Sequence, residues 1–170
     1  GYDFRPSYLN IADIRQELSD TPLLALTATA TKEVVADIQE KLLFKETNVF
    51  RKSFARDNLS YVVRKVDNKY AELIHILQSV PGSSIIYVRN RKQTKETAVM
   101  LQKAGVSADF FHAGLLHDIK EDRQNKWKSG ECRVMVATNA FGMGIDKSDV
   151  RTVIHLDLPN SLEEYYQEAG

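Results

Sequence analysis

Two glycines one residue apart, Gly142 and Gly144, lie among three short polar side chains in the sequence. Thr138 and Asn139 precede the glycines, and Asp146 follows them. Glycine lets the backbone turn tightly and approach a ligand closely, and a carboxylate after such a turn can accept a hydrogen bond from a sugar hydroxyl. A Gly-x-Gly pair alone is a weak signal, so a connection that needs glycine only for turning is the alternative interpretation.

Polar residues also follow five short apolar runs that predict buried strands. In chain order they are Thr27 and Thr29; Arg89, Asn90 and Arg91; His112 and Gly114; Thr138 and Asn139; and Asp157. Because the carboxyl ends of parallel strands meet at one edge of a sheet, we expect these groups to converge there. Hydroxyls, guanidinium groups and amides are suited to phosphate contacts. The alternative is that the loops are polar only because loops are solvated.

The elements that must position these groups alternate between strands and amphipathic helices. The predicted strands are Leu23–Leu26, Asn48–Ser53, Leu59–Val66, Ser84–Val88, Ala108–Phe111, Val134–Ala137 and Val153–Leu156. The predicted helices are Pro6–Leu18, one capped by Thr31, Tyr70–Val80, Thr94–Ala104, Asp118–Lys128 anchored by Ile119 and Trp127, and one capped by Asn160 and Ser161. This order predicts an α/β fold with a mainly parallel sheet flanked by helices. A domain boundary is expected near residue 53.

Composition excludes several classes of protein. The 170 residues are 43% hydrophobic and 27% charged, as in an ordinary globular chain, and no apolar run is long enough for a membrane span. The single cysteine, Cys132, excludes an internal disulfide, and no Cys/His cluster has metal-ligand spacing. Lys and Arg total 23 and so do Asp and Glu, so nucleic-acid binding would depend on local basic groups. A phosphate-cradling P-loop is absent, so we expect the chain alone not to hydrolyse a nucleotide.

Several strings, in their order, resemble the motifs of the RecQ family of DNA helicases. The strings are Asp3-Phe4-Arg5-Pro6, Leu26-Thr27-Ala28-Thr29-Ala30, Ile85-Ile86-Tyr87-Val88-Arg89-Asn90-Arg91, Phe111-His112-Ala113-Gly114-Leu115, Val136 to Asp146, and Tyr165-Tyr166-Gln167-Glu168-Ala169-Gly170. The string Phe-Gly-Met-Gly-Ile-Asp is the most specific, since related RNA helicases usually carry Arg-Gly before Ile-Asp. The resemblance implies a partial RecA-like, P-loop NTPase helicase fold. Residues 1–52 would then be the C-terminal part of the first RecA-like domain, and residues 53–170 the second, truncated at motif VI.

The resemblance also implies roles for individual residues. Single-stranded DNA would be contacted by Phe4, Arg5, Arg89, Asn90, Arg91, His112, Gly114, Thr138 and Asn139. Gly144 and Asp146 would face ATP, while Thr27, Thr29 and Gln167 would couple hydrolysis to DNA movement. The main ligands of the phosphates and Mg²⁺ would lie outside this chain, as would the arginine finger. No metal ligand is expected within the chain.

The function implied is that of an ATP-dependent 3′-to-5′ DNA helicase acting on single strands and duplex junctions in DNA repair and recombination. The 170-residue chain is expected to be inactive alone. No membrane association is expected; the protein would be intracellular, in the bacterial cytoplasm and nucleoid or the eukaryotic nucleus. Two alternatives stay open: a non-catalytic α/β module that binds nucleic acid or protein, and an RNA helicase of the same superfamily.

Overall fold

The computed structural model describes residues 10–27, 30–53, 56–142 and 144–169. Contacts within the chain divide it into two compact units, Gly1–Val62 (unit 1) and Val63–Gly170 (unit 2). This division falls about ten residues after the boundary that the sequence suggests. Among the described residues, no helix is both long and apolar enough to cross a bilayer.

Unit 1 contains two helices among its described residues, α1 (Ile11–Glu17) and α2 (Lys32–Lys41). The cap predicted for α2 is confirmed, because the Thr31 hydroxyl accepts a hydrogen bond from the backbone N–H of Val34 at 3.3 Å. Glu33 lies in the first turn of α2, and its pKa is lowered by backbone and Thr31 hydrogen bonds. Helix α1 starts later than predicted, and Pro6 lies outside the described residues.

Three strands predicted before residue 67 are wrong. Leu23–Leu26, Asn48–Ser53 and Leu59–Val66 have no strand structure where they are described. Most of their apolar side chains are exposed, including 84% of Leu26 and 96% of Phe50. A strand depends on hydrogen bonds to a neighbouring strand and on packing against its face. The described part of unit 1 contains no strand that could supply either, and residues 63–66 of unit 2 do not pair with the sheet of that unit.

Unit 2 contains a four-stranded parallel sheet, which confirms the predicted fold class. Its strands are β1 (Ser83–Tyr87), β2 (Ala108–Phe111), β3 (Val134–Ala137) and β4 (Val150–His155). The strand order is β2-β3-β1-β4, and every neighbouring pair is parallel. The predicted bounds of β2 and β3 are confirmed, and β1 and β4 start earlier than predicted.

Four helices accompany the sheet: α3 (Lys69–Ser79), α4 (Arg91–Lys103), α5 (His117–Ser129) and α6 (Leu162–Ala169). The Ser161 hydroxyl accepts a hydrogen bond from the backbone N–H of Glu164 at 3.1 Å, which confirms the predicted cap of α6. Helix α5 ends at Ser129 and is capped by Gly130, whose left-handed φ of +85° suits glycine.

Both faces of the sheet are buried, and successive strand residues point to opposite sides. Ile86 and Val134 join the cluster that contains Leu73 and Leu101 of α3 and α4. On the other face, Ile85, Tyr87, Met135 and Ala137 pack with Phe111, Phe141 and Trp127. Covering both faces explains why these strands are continuous apolar runs in the sequence. Trp127 anchors α5 at 1% exposure, but the anchor predicted at Ile119 is wrong, because that side chain is 39% exposed.

Candidate nucleic-acid interface

The carboxyl ends of the four strands in unit 2 lie at one edge of the sheet, as predicted. The loop residues after neighbouring strands are joined by backbone hydrogen bonds. The Val88 N–H donates to the Ala137 carbonyl at 2.9 Å, and the Thr138 N–H donates to the Phe111 carbonyl at 3.3 Å. The polar groups that follow β1, β2, β3 and β4 therefore share this edge.

Arg91 and Gly114 are brought into direct contact. Arg91 begins α4 after β1, while Gly114 follows β2, and both are exposed. A Cβ added at Gly114 would lie 2.7 Å from Nη1 of Arg91 and 3.0 Å from its Cζ. The absence of a side chain at Gly114 therefore leaves the space in which the guanidinium group rests. This contact brings an exposed positive charge to exposed backbone, a combination suited to a phosphate.

His112 lies beside this positive charge. Its Nδ1 atom is buried and has no hydrogen-bond partner within the described ranges. Burial lowers the pKa of His112, and the positive charges of Arg91 and Arg123 lower it further. The imidazole is therefore neutral near pH 7 and can act as a hydrogen-bonding group without adding charge.

Arg123 on α5 is a member of this site that the sequence analysis missed. Its Nη1 donates to the Phe110 carbonyl at 2.7 Å and lies 3.2 Å from Oδ1 of Asp109. Its guanidinium carbon is 3.8 Å from the centre of the Phe110 ring. These contacts fix a positive charge behind His112. No local sequence pattern marks it, since α5 carries many charged residues.

Arg89 and Asn90 are exposed at the end of β1, but each already has a structural contact. The Arg89 backbone N–H donates to Oδ2 of Asp157 at 3.2 Å, which joins the loops after β1 and β4. The Asn90 Oδ1 accepts from the Gln93 N–H at 2.9 Å and caps α4. Oδ1 of Asn90 is engaged in the cap, and its Nδ2 donates to Oε1 of Gln93 at the long distance of 3.5 Å. A ligand could use the Arg89 side chain and, in place of that long contact, the Asn90 Nδ2 amide.

Asn139 and Gln167 line one cleft of about 200 Å³ between the turn after β3 and helix α6. The Asn139 Nδ2 donates to Oε1 of Glu164 at 3.0 Å, so this amide is held by α6. Thr138 and Asn139 also line a smaller adjoining cleft together with Arg89 and Asp157. The structure thus brings a predicted DNA contact, Asn139, next to the predicted coupling residue Gln167.

The glycine-containing turn is shaped by contacts on one side and open on the other. Gly142 has a φ of +105°, and an added Cβ would lie 2.6 Å from the Tyr87 hydroxyl. Gly144 has a φ of +69° and, like Asp146, is exposed. Phe141 is 98% buried against Phe111 and Trp127, so the base-stacking role that loop aromatics can have does not apply to it.

Four predicted site residues lie outside the described part of unit 2. Phe4, Arg5 and Thr29 lie outside the described residues. Thr27 is described, is exposed, and belongs to unit 1. Their proposed roles stay predictions.

A part-buried polar pair at this edge was also missed. His155 at the end of β4 contacts Glu168 of α6, with 2.8 Å between Nε2 and Oε2. Tyr87 stacks on His155 with 5.3 Å between ring centres, and its hydroxyl donates to the Phe141 carbonyl at 2.9 Å. The one sequence signal was a histidine within the apolar run of β4, where a buried imidazole needs a polar partner.

Comparison with known proteins agrees with this architecture. Residues 68–170 match the family model of the helicase conserved C-terminal domain. The chain is 42% identical to the RecQ-like DNA helicase blm-1 of Caenorhabditis elegans, and all of the chain aligns with 18% of that protein. It is also 42% identical to the ATP-dependent DNA helicase RecQ of Bacillus subtilis, where all of the chain aligns with 29% of the relative. The chain therefore spans less than a third of the length of these relatives.

Solved structures support the same fold. A DEAD box protein from the hyperthermophile Methanococcus jannaschii is 27% identical, with a TM-score of 0.55 over 59% of this chain and 28% of that one. The C-terminal domain of Saccharomyces cerevisiae Dbp5, bound to Gle1 and IP6, is 24% identical, with a TM-score of 0.54 over 59% of this chain and 60% of that one. This second likeness concerns the fold alone. With the match over residues 68–170 and the parallel RecA-like sheet, the chain belongs to the helicase C-terminal domain family, and its resemblance to the RecQ helicases is confirmed.

Proposed function

We propose that the full-length protein is an ATP-dependent DNA helicase that moves 3′ to 5′, and that this chain supplies part of the edge that grips single-stranded DNA. The observation that carries the proposal is the contact between Arg91 and Gly114, beside neutral His112. This arrangement places the guanidinium group of Arg91, the exposed backbone at Gly114 and the imidazole of His112 close together. The names of the relatives, an ATP-dependent DNA helicase among them, support DNA as the polymer and ATP as the energy source.

ATP would meet this chain at the turn after β3. The exposed Gly144 backbone can approach a nucleotide, since an added Cβ there meets no atom of the described residues within 4 Å. The exposed Asp146 carboxylate can accept a hydrogen bond from a sugar hydroxyl. When bound, ATP supplies the free energy for movement, and Mg²⁺ neutralises charge on its phosphates. Described residues of this chain form no cluster of His, Cys, Asp or Glu that could hold a metal. From the resemblance to the RecQ helicases, we infer that the metal ligands lie in other parts of the full-length protein.

Coupling between DNA and nucleotide would pass through Gln167, which shares a cleft with Asn139. Thr27 and Thr29 would contribute from the first RecA-like domain. In this proposal residues 1–52 end that domain and residues 53–170 form most of the second. The same proposal includes DNA junctions as substrates and a role in repair and recombination. It also includes an intracellular location, in the bacterial cytoplasm and nucleoid or in the eukaryotic nucleus.

The test is single-stranded DNA binding by the full-length protein, measured by fluorescence anisotropy over a series of salt concentrations. Arg91→Gln is expected to weaken binding and to reduce the slope of log affinity against log salt by about 0.7, the value for one lost contact to a single strand. Lys103→Gln, which removes one positive charge from the opposite end of α4, is the matched control. An unchanged slope for Arg91→Gln would contradict the proposed grip.

Gly114→Ala tests the contact itself. The added methyl group would displace the flexible end of Arg91, so DNA binding should weaken while the fold persists. If Gly114 acts by seating Arg91, the double variant should bind no worse than Arg91→Gln alone, because effects of residues in contact are not additive. Additive losses would show that Gly114 acts independently of Arg91.

DNA is favoured over RNA because the relatives that match the whole chain are named DNA helicases. Competition between DNA and RNA strands of the same sequence tests this choice, and equal or better competition by RNA would overturn it. A non-catalytic role would appear as DNA binding without DNA-stimulated ATP turnover in the full-length protein.

A further inference from the structure

Three side chains form a continuous connection beneath the candidate interface. The Tyr87 hydroxyl donates to the Phe141 carbonyl at 2.9 Å, which places the end of β1 against the turn after β3. The Tyr87 ring stacks on His155 at 5.3 Å and 20° between planes. His155 in turn contacts Glu168 of α6 at 2.8 Å. The connection therefore runs from the glycine-containing turn to the residue directly after Gln167.

This connection is polar and mostly removed from solvent. The side chains of His155 and Glu168 are 12% and 8% exposed, and Tyr87 is 4% exposed. Tyr165 of α6 covers the His155 ring at 5.2 Å. Burying an ionisable pair is costly, and apolar residues of similar volume often stabilise a fold as well or better. Packing alone therefore does not explain why polar groups lie at this junction.

His155 and Glu168 can share one proton in a fixed hydrogen bond. Burial raises the pKa of Glu168 to about 7, and the charge of Glu164 adds to this effect. Burial lowers the pKa of His155. The neutral pair is thus favoured, with one proton between Nε2 and Oε2. A glutamine in place of Glu168 could keep such a hydrogen bond, whereas alanine could not.

We propose that Tyr87, His155 and Glu168 are positioning residues. They hold the turn after β3 and helix α6 in a fixed position and orientation relative to each other. The inference rests on the proposed function, in which Gly144 and Asp146 of that turn face ATP and Gln167 relays to DNA. A displacement of the turn would then reach α6 through contacts between rigid aromatic rings and a short hydrogen bond. All three residues line the smaller cleft together with Arg89, Thr138 and Asn139. Their polar and ring contacts are made to one another, to Phe141 and to Tyr165, so in this proposal they act on coupling rather than on binding.

The experiment compares ATP turnover by the full-length protein with and without saturating single-stranded DNA. Tyr87→Phe removes only the hydroxyl that contacts Phe141, and Tyr70→Phe, at an exposed position of α3, is its matched control. Tyr87→Phe is expected to reduce DNA stimulation of turnover by about fivefold or more, while KM for ATP and the Kd for DNA stay within about twofold. A stimulation ratio equal to that of Tyr70→Phe would overturn the proposal.

Glu168 gives a second, independent variant. Glu168→Ala is expected to lose stimulation as Tyr87→Phe does, and Glu168→Gln to restore at least about half of it. Equal stimulation for Glu168→Ala and the wild type would overturn the proposal. So would loss of the folded state in both Tyr87→Phe and Glu168→Ala, because the side chains would then serve folding and not coupling.

The outcomes separate this inference from the proposed function. If the wild-type protein shows no DNA-stimulated ATP turnover, the proposed helicase function fails. If the wild type is stimulated and the variants keep the same ratio, the positioning role alone fails.

Discussion

Replacing Glu168 by glutamine should change how the stability of unit 2 depends on pH. Burial, and then the charge of Glu164, raise the pKa of Glu168 from 4.5 to about 7. The side chain is 8% exposed and faces His155 of β4 and Tyr87 of β1. The difference between the two pKa values corresponds to about 3 kcal/mol in favour of the protonated carboxyl in the folded state.

Because the pKa of Glu168 is higher in the folded state than in the unfolded state, protonation of this carboxyl stabilises the fold. This stabilisation is complete below the unfolded pKa of 4.5 and is lost as the pH rises through about 7. Glutamine stays neutral, so its contribution to the free energy of unfolding does not change over this pH range. The free energy of unfolding of Glu168→Gln, minus that of the wild type, should therefore rise by about 2 to 3 kcal/mol between about pH 5 and about pH 8.

The assay is urea unfolding of the chain at several pH values, followed by tryptophan fluorescence. Trp127 is the single tryptophan of the sequence, lies in unit 2 and is 1% exposed, so its signal reports unit 2 alone. Glu96→Gln, at an exposed position of α4, controls for the loss of one carboxylate. A difference curve for Glu168→Gln that runs parallel to the one for Glu96→Gln would refute the reasoning.

Three further predictions concern single contacts. Asn90→Ala should lower the free energy of unfolding by about 1 kcal/mol, because the cap to Gln93 is lost. Asn90→Asp should keep the cap and weaken only DNA binding. Equal DNA affinity for Asn90→Asp and the wild type, measured by anisotropy, would argue against a DNA contact. Arg133→Met should destabilise unit 2 by about 2 kcal/mol or more in urea unfolding, because the guanidinium donates to the carbonyls of Leu77, Val80 and Gly82 at and just after the end of α3, and an unchanged urea midpoint would contradict this. Gly142→Ala should destabilise by about 1 to 3 kcal/mol from its positive φ and its clash with the Tyr87 hydroxyl, and this loss should shrink in a Tyr87→Phe background; an equal loss in both backgrounds would place the whole cost in the backbone.

The strands of unit 2 could be predicted from the sequence because of how they are buried. Residues of β3 point alternately into two apolar clusters, so all four are fully buried and form one uninterrupted apolar run. Turn and cap residues such as Gly130 and Ser161 then mark the helix ends. The same apolar composition led to a wrong strand prediction for Leu23–Leu26, which lacks a paired strand in the described structure. Composition reports the capacity to form a strand, while pairing decides whether one forms.

The candidate site was predictable to the level of loops but not of atoms. Parallel topology alone places Arg91, His112 and Thr138 at one edge. The topology does not reveal that the side-chain oxygen of Asn90 caps helix α4, or that Arg123 lies beneath the edge. Such contacts depend on side-chain directions between elements that are distant in sequence.

Gly142 shows that the structural and functional interpretations of the glycine pair are compatible. The Tyr87 hydroxyl occupies the space that a side chain at Gly142 would need, so packing within unit 2 already requires glycine there. Gly144 is different, because an added Cβ would meet no atom of the described residues within 4 Å. Its positive φ of +69° is the remaining internal reason for glycine. The first glycine thus fixes the turn against β1, and the second leaves exposed backbone at the position where a nucleotide could approach.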